Sequence, residues 1–181
     1  MSTFLGWMPD AATQAALASL QQDIRAALPA DAPRHDWRTP AQWHMTLRYL
    51  GGSIDEAQRA RIDAAMAHVA ATTHAPEALI VGAQYWPHAR VLVAKIEASD
   101  ALKHLLMQLE ATMQGCGFAK ERTQTAHVTR AYLSHRDAPA QPTPLATPMP
   151  MRIDHVQLLR TVPGGYMSLA TWPLARSATD A

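Results

Sequence analysis

The apolar residues of the first half of the chain alternate between short continuous runs and helical spacing. Residues 3–8 form a short apolar run that predicts a strand. A helix is predicted next, because Asp10 can cap its start and Pro29 can end it. A second strand is predicted at about 43–50, and a capping-box sequence at 53–56 opens a second helix. The first helix carries apolar residues at helical spacing, at Leu17, Leu20, Ile24 and Leu28.

The second half repeats this order of elements. Residues 90–98 predict a strand, and Ser99 can cap a helix that ends near Gly115. An apolar run at about 125–133 predicts the next strand. The order strand, helix, loop, strand therefore occurs twice, which indicates an old duplication. We expect an α+β fold of two pseudo-symmetric lobes, each an antiparallel sheet flanked by helices, with a central cleft.

Two segments are predicted to be irregular. Residues 34–42 are interpreted as a loop that leads into the first of the repeated strands. The segment at about 137–150 contains five prolines, which predicts an extended crossing loop. Residues 151–160 and 166–173 then predict two strands joined as a hairpin.

A short motif occurs once in each repeated strand. The first copy is His44-Met45-Thr46-Leu47 and the second is His127-Val128-Thr129-Arg130. Side chains alternate along a strand, so each copy presents an imidazole and a hydroxyl about 7 Å apart on one face. Arg48 follows two residues after Thr46 and shares that face if the strand continues regularly. The five candidate site residues are thus His44, His127, Thr46, Thr129 and Arg48.

Length, charge and cysteine content limit the partners of the chain. Its 181 residues suit one domain, 1–181, built of two similar halves. A net charge of +1 predicts no extended nucleic-acid surface. No apolar stretch is long enough to cross a bilayer, no signal peptide is evident, and there is one cysteine, so we expect a cytoplasmic monomer without a membrane partner.

The chain resembles the 2H phosphoesterases, and within them the RNA 2′,3′-cyclic phosphodiesterases, also called 2′-5′ RNA ligases. That family carries His-x-Thr-x twice at roughly this separation. Its flanking segments are similar to residues 3–10, 37–52, 89–99 and 156–174 of this chain. The resemblance implies metal-independent hydrolysis of a 2′,3′-cyclic phosphate at an RNA end to a 2′-phosphate, with no cofactor and no metal. The ligase activity would be the same reaction in reverse.

The resemblance also implies roles for the motif residues. His44 would donate a proton to the leaving oxygen, and His127 would accept one from water. Thr46 and Thr129 would donate hydrogen bonds to the phosphate, and Arg48 would neutralise it. Trp7, Trp37 and Tyr166 are candidates for stacking on a base.

The second motif departs from the family pattern. Arg130 stands where the family usually has leucine, and we expect it to point away from the His127 face, towards the helices or an edge. Thr125 and Tyr132 occupy places where the family often has arginines.

Three other functions stay open at this point. A 2H enzyme could act on another small cyclic phosphate, such as ADP-ribose 1″,2″-cyclic phosphate. The chain could instead be a non-catalytic module that binds an RNA end or a nucleotide. A histidine-ligated metalloenzyme is weakly supported, because the sequence has neither HExxH nor cysteine partners for its histidines.

Overall fold

A computed structural model describes residues 1–30, 32, 34–122, 125–134 and 143–176. Within these residues the chain forms nine strands, three α-helices and one short 3-10 turn. In chain order they are β1 Thr3–Trp7, α1 Ala11–Ala27, β2 His35–Trp37, the 3-10 turn Pro40–Gln42, β3 Met45–Gly51, α2 Glu56–Thr72, β4 Glu77–Trp86, β5 Val91–Ala98, α3 Asp100–Gly115, β6 His127–Leu133, β7 Thr143–Arg152, β8 His155–Val162 and β9 Gly165–Pro173.

The strands form two antiparallel sheets. The first has four strands in the order β3-β1-β8-β9, and the second has five in the order β2-β6-β5-β4-β7. The first sheet therefore joins the beginning of the chain to its last hairpin. The second takes β2 from the first half and places it beside β6 from the second half. The predicted α+β class with two antiparallel sheets is confirmed, but neither sheet belongs to one half of the sequence.

All three predicted helices form, and each begins at a side-chain cap. The Asp10 carboxylate accepts from the Thr13 amide at 2.7 Å, and the Ser99 hydroxyl accepts from the Leu102 amide at 3.2 Å. The second helix uses the capping box of Asp55 and Gln58, two residues later than predicted. No helix among the described residues is long and apolar enough to cross a membrane.

A cluster of buried side chains lies between the sheets and the helices. It includes Leu5 of β1, Ile80 of β4 and Val128 of β6, each 0% exposed. The inner faces of the helices complete it, with Leu17, Leu20 and Ile24 from α1, Ile62, Met66 and Val69 from α2, and Leu102, Leu105, Leu109 and Met113 from α3. Because the same cluster contains residues of both sheets, the two sheets cannot pack independently of each other.

Two segments predicted to be irregular contain strands. Residues 143–150 of the Pro-rich segment form β7 together with residues 151 and 152 of the next predicted strand, and β7 pairs with β4 at the edge of the five-stranded sheet. Proline lacks an amide donor, and an edge strand tolerates it because one side of the strand has no partner. The rest of the predicted loop, residues 137–142, lies outside the described residues. Similarly, residues 35–37 of the other segment form β2 at the opposite edge of this sheet.

The register of pairing shifts by one residue in each motif strand. Leu5 pairs with Arg48 and Gly6 pairs with Thr46, so Leu47 is the extra residue in β3. The corresponding pairs in the other sheet leave Arg130 as the extra residue in β6. Both irregularities fall at the fourth position of the motif. Such a bulge interrupts the alternation of faces, so that two consecutive side chains point into the core.

The bulge in β3 corrects the placement of Arg48. Arg48 does not share the face of Thr46; its side chain is only 4% exposed and contacts α3. Its Nε lies 2.5 Å from Oε2 of Glu110, in a close ion pair that is not aligned as a hydrogen bond. Its Nη2 donates to the carbonyl oxygen of Ala119 at 2.5 Å. The expectation of a regular strand was wrong here, and Arg48 ties β3 to α3.

The bulge in β6 places Arg130 in the interior. Of the two predicted directions, towards the helices or an edge, the structure shows the first: the side chain is 0% exposed and reaches α1. Its Nη2 donates to the Leu17 carbonyl at 2.9 Å and to Oε1 of Gln21 at 2.7 Å. Its guanidinium carbon lies 3.7 Å from the centroid of the Trp43 ring. Burial lowers the pKa of Arg130 to about 9, so the group remains charged at neutral pH.

The environment of Arg130 predicts that its volume contributes more to stability than its charge. Nε and Nη1 have no hydrogen-bond partner among the described residues, so much of the attraction is offset by desolvation. We expect Arg130→Ala to lower the free energy of unfolding by about 3 kcal/mol, through a cavity and the lost stacking on Trp43. Arg130→Met, which fills the space without a charge, should lose about 1 kcal/mol or less. Urea denaturation measures both, and equal losses in the two variants would contradict this account.

Candidate functional site

The two motif strands lie in different sheets and contact each other. β3 belongs to the four-stranded sheet and β6 to the five-stranded sheet, yet residues of the two strands are neighbours. His44 comes directly before the first residue of β3, and His127 is the first residue of β6. Each histidine therefore stands at the entrance of its strand. The fold brings together two motifs that are far apart in the sequence.

Both imidazoles are oriented by the same local hydrogen bond. Nδ1 of His44 lies 3.1 Å from the carbonyl oxygen of Gln42, and Nδ1 of His127 lies 2.7 Å from that of Thr125. In each case the acceptor is two residues upstream. A carbonyl oxygen can only accept, so Nδ1 carries the hydrogen in both rings. When the rings are neutral, Nε2 of each one is consequently the atom that can take a proton.

Burial favours the neutral form of both rings. It lowers the pKa of His44 to about 4, opposed by the bond to Gln42 and assisted by the positive charges of His127 and Arg38. Burial also lowers the pKa of His127, opposed by the bond to Thr125. The effect of His127 on His44 means that the two rings sense each other. At neutral pH the unliganded protein therefore holds two neutral imidazoles.

Aromatic side chains flank both imidazoles. The ring of His44 lies 5.1 Å from that of Phe4 and 4.3 Å from that of Tyr166, between ring centroids. The ring of His127 lies 4.5 Å from that of Trp86. The rings are tilted against the imidazoles, with interplanar angles of 43° for Phe4, 57° for Tyr166 and 55° for Trp86. Each imidazole therefore lies between a backbone carbonyl and at least one aromatic ring.

The predicted stacking residues have different positions. Tyr166 lies against His44, as described above. Trp7 is 1% exposed and donates from its indole nitrogen to Asp154 at 3.3 Å, so it belongs to the core. Trp37 stacks on His35 at 5.1 Å, with Arg25 over its ring at 5.3 Å. Of the three, the structure places only Tyr166 beside a motif histidine.

The motif threonines are half-buried between fully buried neighbours. Thr46 lies between Met45 and Leu47, and Thr129 lies between Val128 and Arg130. Alternation therefore holds from each histidine to its threonine, and the bulge follows only afterwards. Thr46 and His44 share one face, and Thr129 and His127 share another, as the sequence predicted. Each sheet thus presents one imidazole and one hydroxyl on the same side.

The strand beside Thr46 has a glycine at the paired position, where no side chain would fit. Gly6 is the residue that pairs with Thr46, and Gln157 of β8 pairs with Gly6 on its other side. A Cβ at position 6 would lie 2.9 Å from Cε2 of Phe4 and 3.1 Å from the carbonyl oxygen of Met45. Oε1 of Gln157 is buried without a hydrogen-bond partner among the described residues. The neighbours of Gly6 therefore exclude a side chain at this position, and Nε2 of the Gln157 amide donates to the Thr171 hydroxyl at 3.4 Å.

Sequence reasoning missed Arg38 and Tyr132. The bulge at Arg130 leaves Tyr132 48% exposed, on the outward side of β6. The guanidinium carbon of Arg38 lies 5.2 Å from the centroid of the Tyr132 ring. The charge of Arg38 contributes to the lowered pKa of His44, after burial and the charge of His127. The sequence marks Tyr132 only as standing where the resembled family often has an arginine, and no sequence signal marks Arg38, because a bulge cannot be read from the pattern of apolar positions.

The arrangement can move protons at two points of one small ligand. The two sheets together supply Nε2 of both motif histidines and the hydroxyls of both motif threonines. Arg38, which directly follows β2, adds a positive charge. Among the described residues, no group of three or more His, Cys, Asp or Glu side chains could hold a metal ion. The groups present suit acid–base chemistry on an anionic group such as a phosphate ester.

The sequence matches the model of one protein family over part of its length. The sequence model of the family described as LigT like Phosphoesterase matches residues 8–93, a span that contains the first motif. No curated protein matches this sequence.

The fold is shared with solved structures along nearly the whole chain. The crystal structure of TT0787 from Thermus thermophilus has a TM-score of 0.77 and 20% identity, covering 98% of this chain and 100% of that one. Escherichia coli LigT in complex with NADP+ has a TM-score of 0.75 and 15% identity, covering 97% and 98%. Escherichia coli LigT in complex with 3′-AMP has a TM-score of 0.76 at 15% identity, with the same coverage. At these identities the likeness establishes the fold.

The second motif, at residues 127–130, lies outside the span matched by the family model. In the structure its strand β6 contacts β3, and His127 makes the same hydrogen bond from Nδ1 as His44 does. The match over residues 8–93 and the shared fold make this chain similar to the LigT-like phosphoesterases, by sequence in its first half and by fold along nearly its whole length.

Proposed function

We propose that this protein hydrolyses a 2′,3′-cyclic phosphate at an RNA end to a 2′-phosphate, without a metal ion. The observation that carries the proposal is the matched pair of imidazoles. Each one donates from Nδ1 to the carbonyl oxygen two residues upstream, and so each keeps Nε2 as the atom that can exchange a proton with a ligand. Histidine in this state can act as a base when neutral and as an acid when protonated.

Ring opening needs one proton acceptor and one proton donor. Water attacks phosphorus, and a bond forms between its oxygen and phosphorus while the bond from phosphorus to the 3′ oxygen breaks. Nε2 of His127 takes the proton from water, and Nε2 of His44 gives a proton to the 3′ oxygen. The product has a 2′-phosphate and a 3′ hydroxyl. In the ligating direction the two histidines exchange roles.

Binding of an anionic ligand can protonate His44, as its role of proton donor requires. His44 has a pKa of about 4 in the unliganded protein, because burial disfavours its charged form. A phosphate diester carries a negative charge, and a negative charge close to an imidazole raises its pKa. We infer that His44 takes up its proton together with the ligand. The site is therefore set for an anionic substrate and would not act on a neutral one.

The threonines complete the phosphate site. Thr46 shares a face with His44, and Thr129 shares a face with His127. Hydroxyls in these places can donate to the non-bridging oxygens of phosphorus, where charge must be stabilised in the transition state. Arg48, the fifth candidate, is paired with Glu110 on the other side of β3 and takes no part in this proposal.

A nucleotide-like substrate is consistent with the related structures. Escherichia coli LigT has been crystallised in complex with NADP+, with 3′-AMP and with ATP. The net charge of +1 suits a ligand that is held at one end better than a long nucleic acid. ADP-ribose 1″,2″-cyclic phosphate would meet the same groups, so the ratio of its kcat/KM to that of 2′,3′-cyclic AMP distinguishes the two substrates.

Both imidazoles should be required for turnover. We expect His44→Ala and His127→Ala each to lower kcat for 2′,3′-cyclic AMP by about 10²–10⁴-fold, the usual effect of a positioned acid or base. His104→Ala is the matched control, because His104 is exposed on α3, and it should keep the parental rate. Circular dichroism should show the same fold for all three variants. A folded His127→Ala protein with a near-parental rate would contradict the mechanism, and ligand binding without turnover in the parent would favour a binding module.

The pH dependence should differ between the free protein and the complex. Burial lowers the pKa of both imidazoles in the free protein, so the optimum of kcat/KM should lie below pH 6.5. In the complex the phosphate charge raises these pKa values, so the optimum of kcat should lie at higher pH. Both limbs belong to the coupled pair rather than to one histidine. Initial rates from pH 4 to 9 measure the two profiles, and coinciding optima would show that the ligand does not change the protonation of the site.

A further inference from the structure

We propose that Arg38, lying over the ring of Tyr132, binds the substrate phosphate and gives the site its selectivity for phosphorylated nucleotides. This inference rests on the proposed function and names a residue that neither motif contains. Three observations support it: the position of the Arg38 guanidinium, the hydrogen bonds that hold the Arg38 backbone, and the buried contacts that already occupy Arg48 and Arg130.

The guanidinium of Arg38 lies among the groups of the site. Its carbon is 5.2 Å from the centroid of the Tyr132 ring, within the range of a cation–π contact. Its side chain is 22% exposed, so it is largely shielded but can still be reached by a ligand. Its charge acts on both His44 and Tyr166, whose rings lie 4.3 Å apart. A cation that influences both rings stands close to the place where the phosphate would bind.

The backbone of Arg38 is fixed to both motifs. Its amide donates to the carbonyl oxygen of Arg130 at 2.8 Å, at the bulge of the second motif. Its carbonyl oxygen accepts from the indole nitrogen of Trp43, directly before His44, at 3.0 Å. The Cα of Arg38 is thus held between the two motif strands. Such a position costs little ordering entropy when a ligand binds.

Arg38 is only weakly engaged by a carboxylate. Its Nη1 lies 3.6 Å from Oδ2 of Asp36, whose side chain is 72% exposed. An ion pair of this length at an exposed carboxylate contributes little, and a ligand can replace it. Arg48 is held in the interior by Glu110, and Arg130 by Leu17, Gln21 and Trp43. These two arginines therefore cannot supply the charge that Arg38 can supply.

Tyr132 acts as the support for this arginine. An aromatic face orients the guanidinium plane and leaves the edge with its N–H donors open. That edge matches two oxygens of a phosphate in a bidentate contact. The outward position of Tyr132 depends on the bulge at Arg130, which reverses the alternation after Thr129. The same irregularity therefore buries one arginine and provides the platform for another.

The test compares binding of 2′-AMP with binding of adenosine by calorimetry. We expect Arg38→Ala to weaken 2′-AMP by roughly 10–100-fold, the range for a charge-assisted bidentate contact, while adenosine is unaffected. Arg38→Lys should restore part of the affinity. Arg25→Ala is the matched control, since Arg25 also lies over an aromatic ring, that of Trp37, at 5.3 Å. The control should bind both ligands as the parent does.

A binding measurement separates this inference from the proposed function. Unchanged 2′-AMP affinity in Arg38→Ala overturns the inference, whatever the parent hydrolyses. An equal loss of adenosine and 2′-AMP also overturns it, because it would show a contact with the nucleoside. A parent that binds 2′-AMP through Arg38 but does not turn over a cyclic phosphate would retain the inference and refute the reaction. In the supporting case, the Cε1 proton signals of His44 and His127 shift on addition of 2′-AMP, which places the ligand at the motifs.

Discussion

The guanidinium of Arg130 lies 3.7 Å from the Trp43 ring, and this contact joins the strands that carry the two histidines. Trp43 directly precedes His44, and Arg130 is the fourth residue of the second motif. The indole of Trp43 also donates to the Arg38 carbonyl, whose own amide donates to the Arg130 carbonyl. Trp43, Arg38 and Arg130 thus each contact the other two, and these contacts connect the two sheets. This buried group therefore links the entrances of the two strands, and a two-histidine mechanism depends on how those entrances are placed.

The paired bulges explain how one motif builds the same surface twice. In each strand the histidine and the threonine face outward, and the extra residue then directs the next side chain to the core. In β3 that side chain is Arg48, which reaches Glu110 in α3; in β6 the extra residue is Arg130, which reaches Leu17 in α1. Each motif strand is thus tied to the helix of the other half. The halves of the sequence are interleaved, and this is why the two sheets share a core.

The parts of the fold that could be predicted are those that depend on residues close together in the sequence. The caps at Asp10 and Ser99, the helical spacing of apolar residues and the two motif strands are all present as expected, because each depends on neighbours in the sequence. The edge strand β7 was not predicted, since proline excludes a central strand and only the sheet order shows that this one is at an edge. The same holds for Arg48, whose direction depends on one extra residue in β3. Arg38 and Tyr132 come into contact because β2 pairs with β6, which is distant in the sequence, so no local pattern of residue types predicts the contact.

The most direct test of the two-histidine account is the hydrolysis of a short RNA that ends in a 2′,3′-cyclic phosphate, in the presence of excess EDTA. The position of the phosphate on the product, read by ³¹P NMR or by resistance to a 3′-specific phosphatase, decides the outcome. The account predicts full turnover in the chelator and a 2′-phosphate product. Turnover that appears only after a divalent metal ion is added, or a 3′-phosphate product, would contradict it.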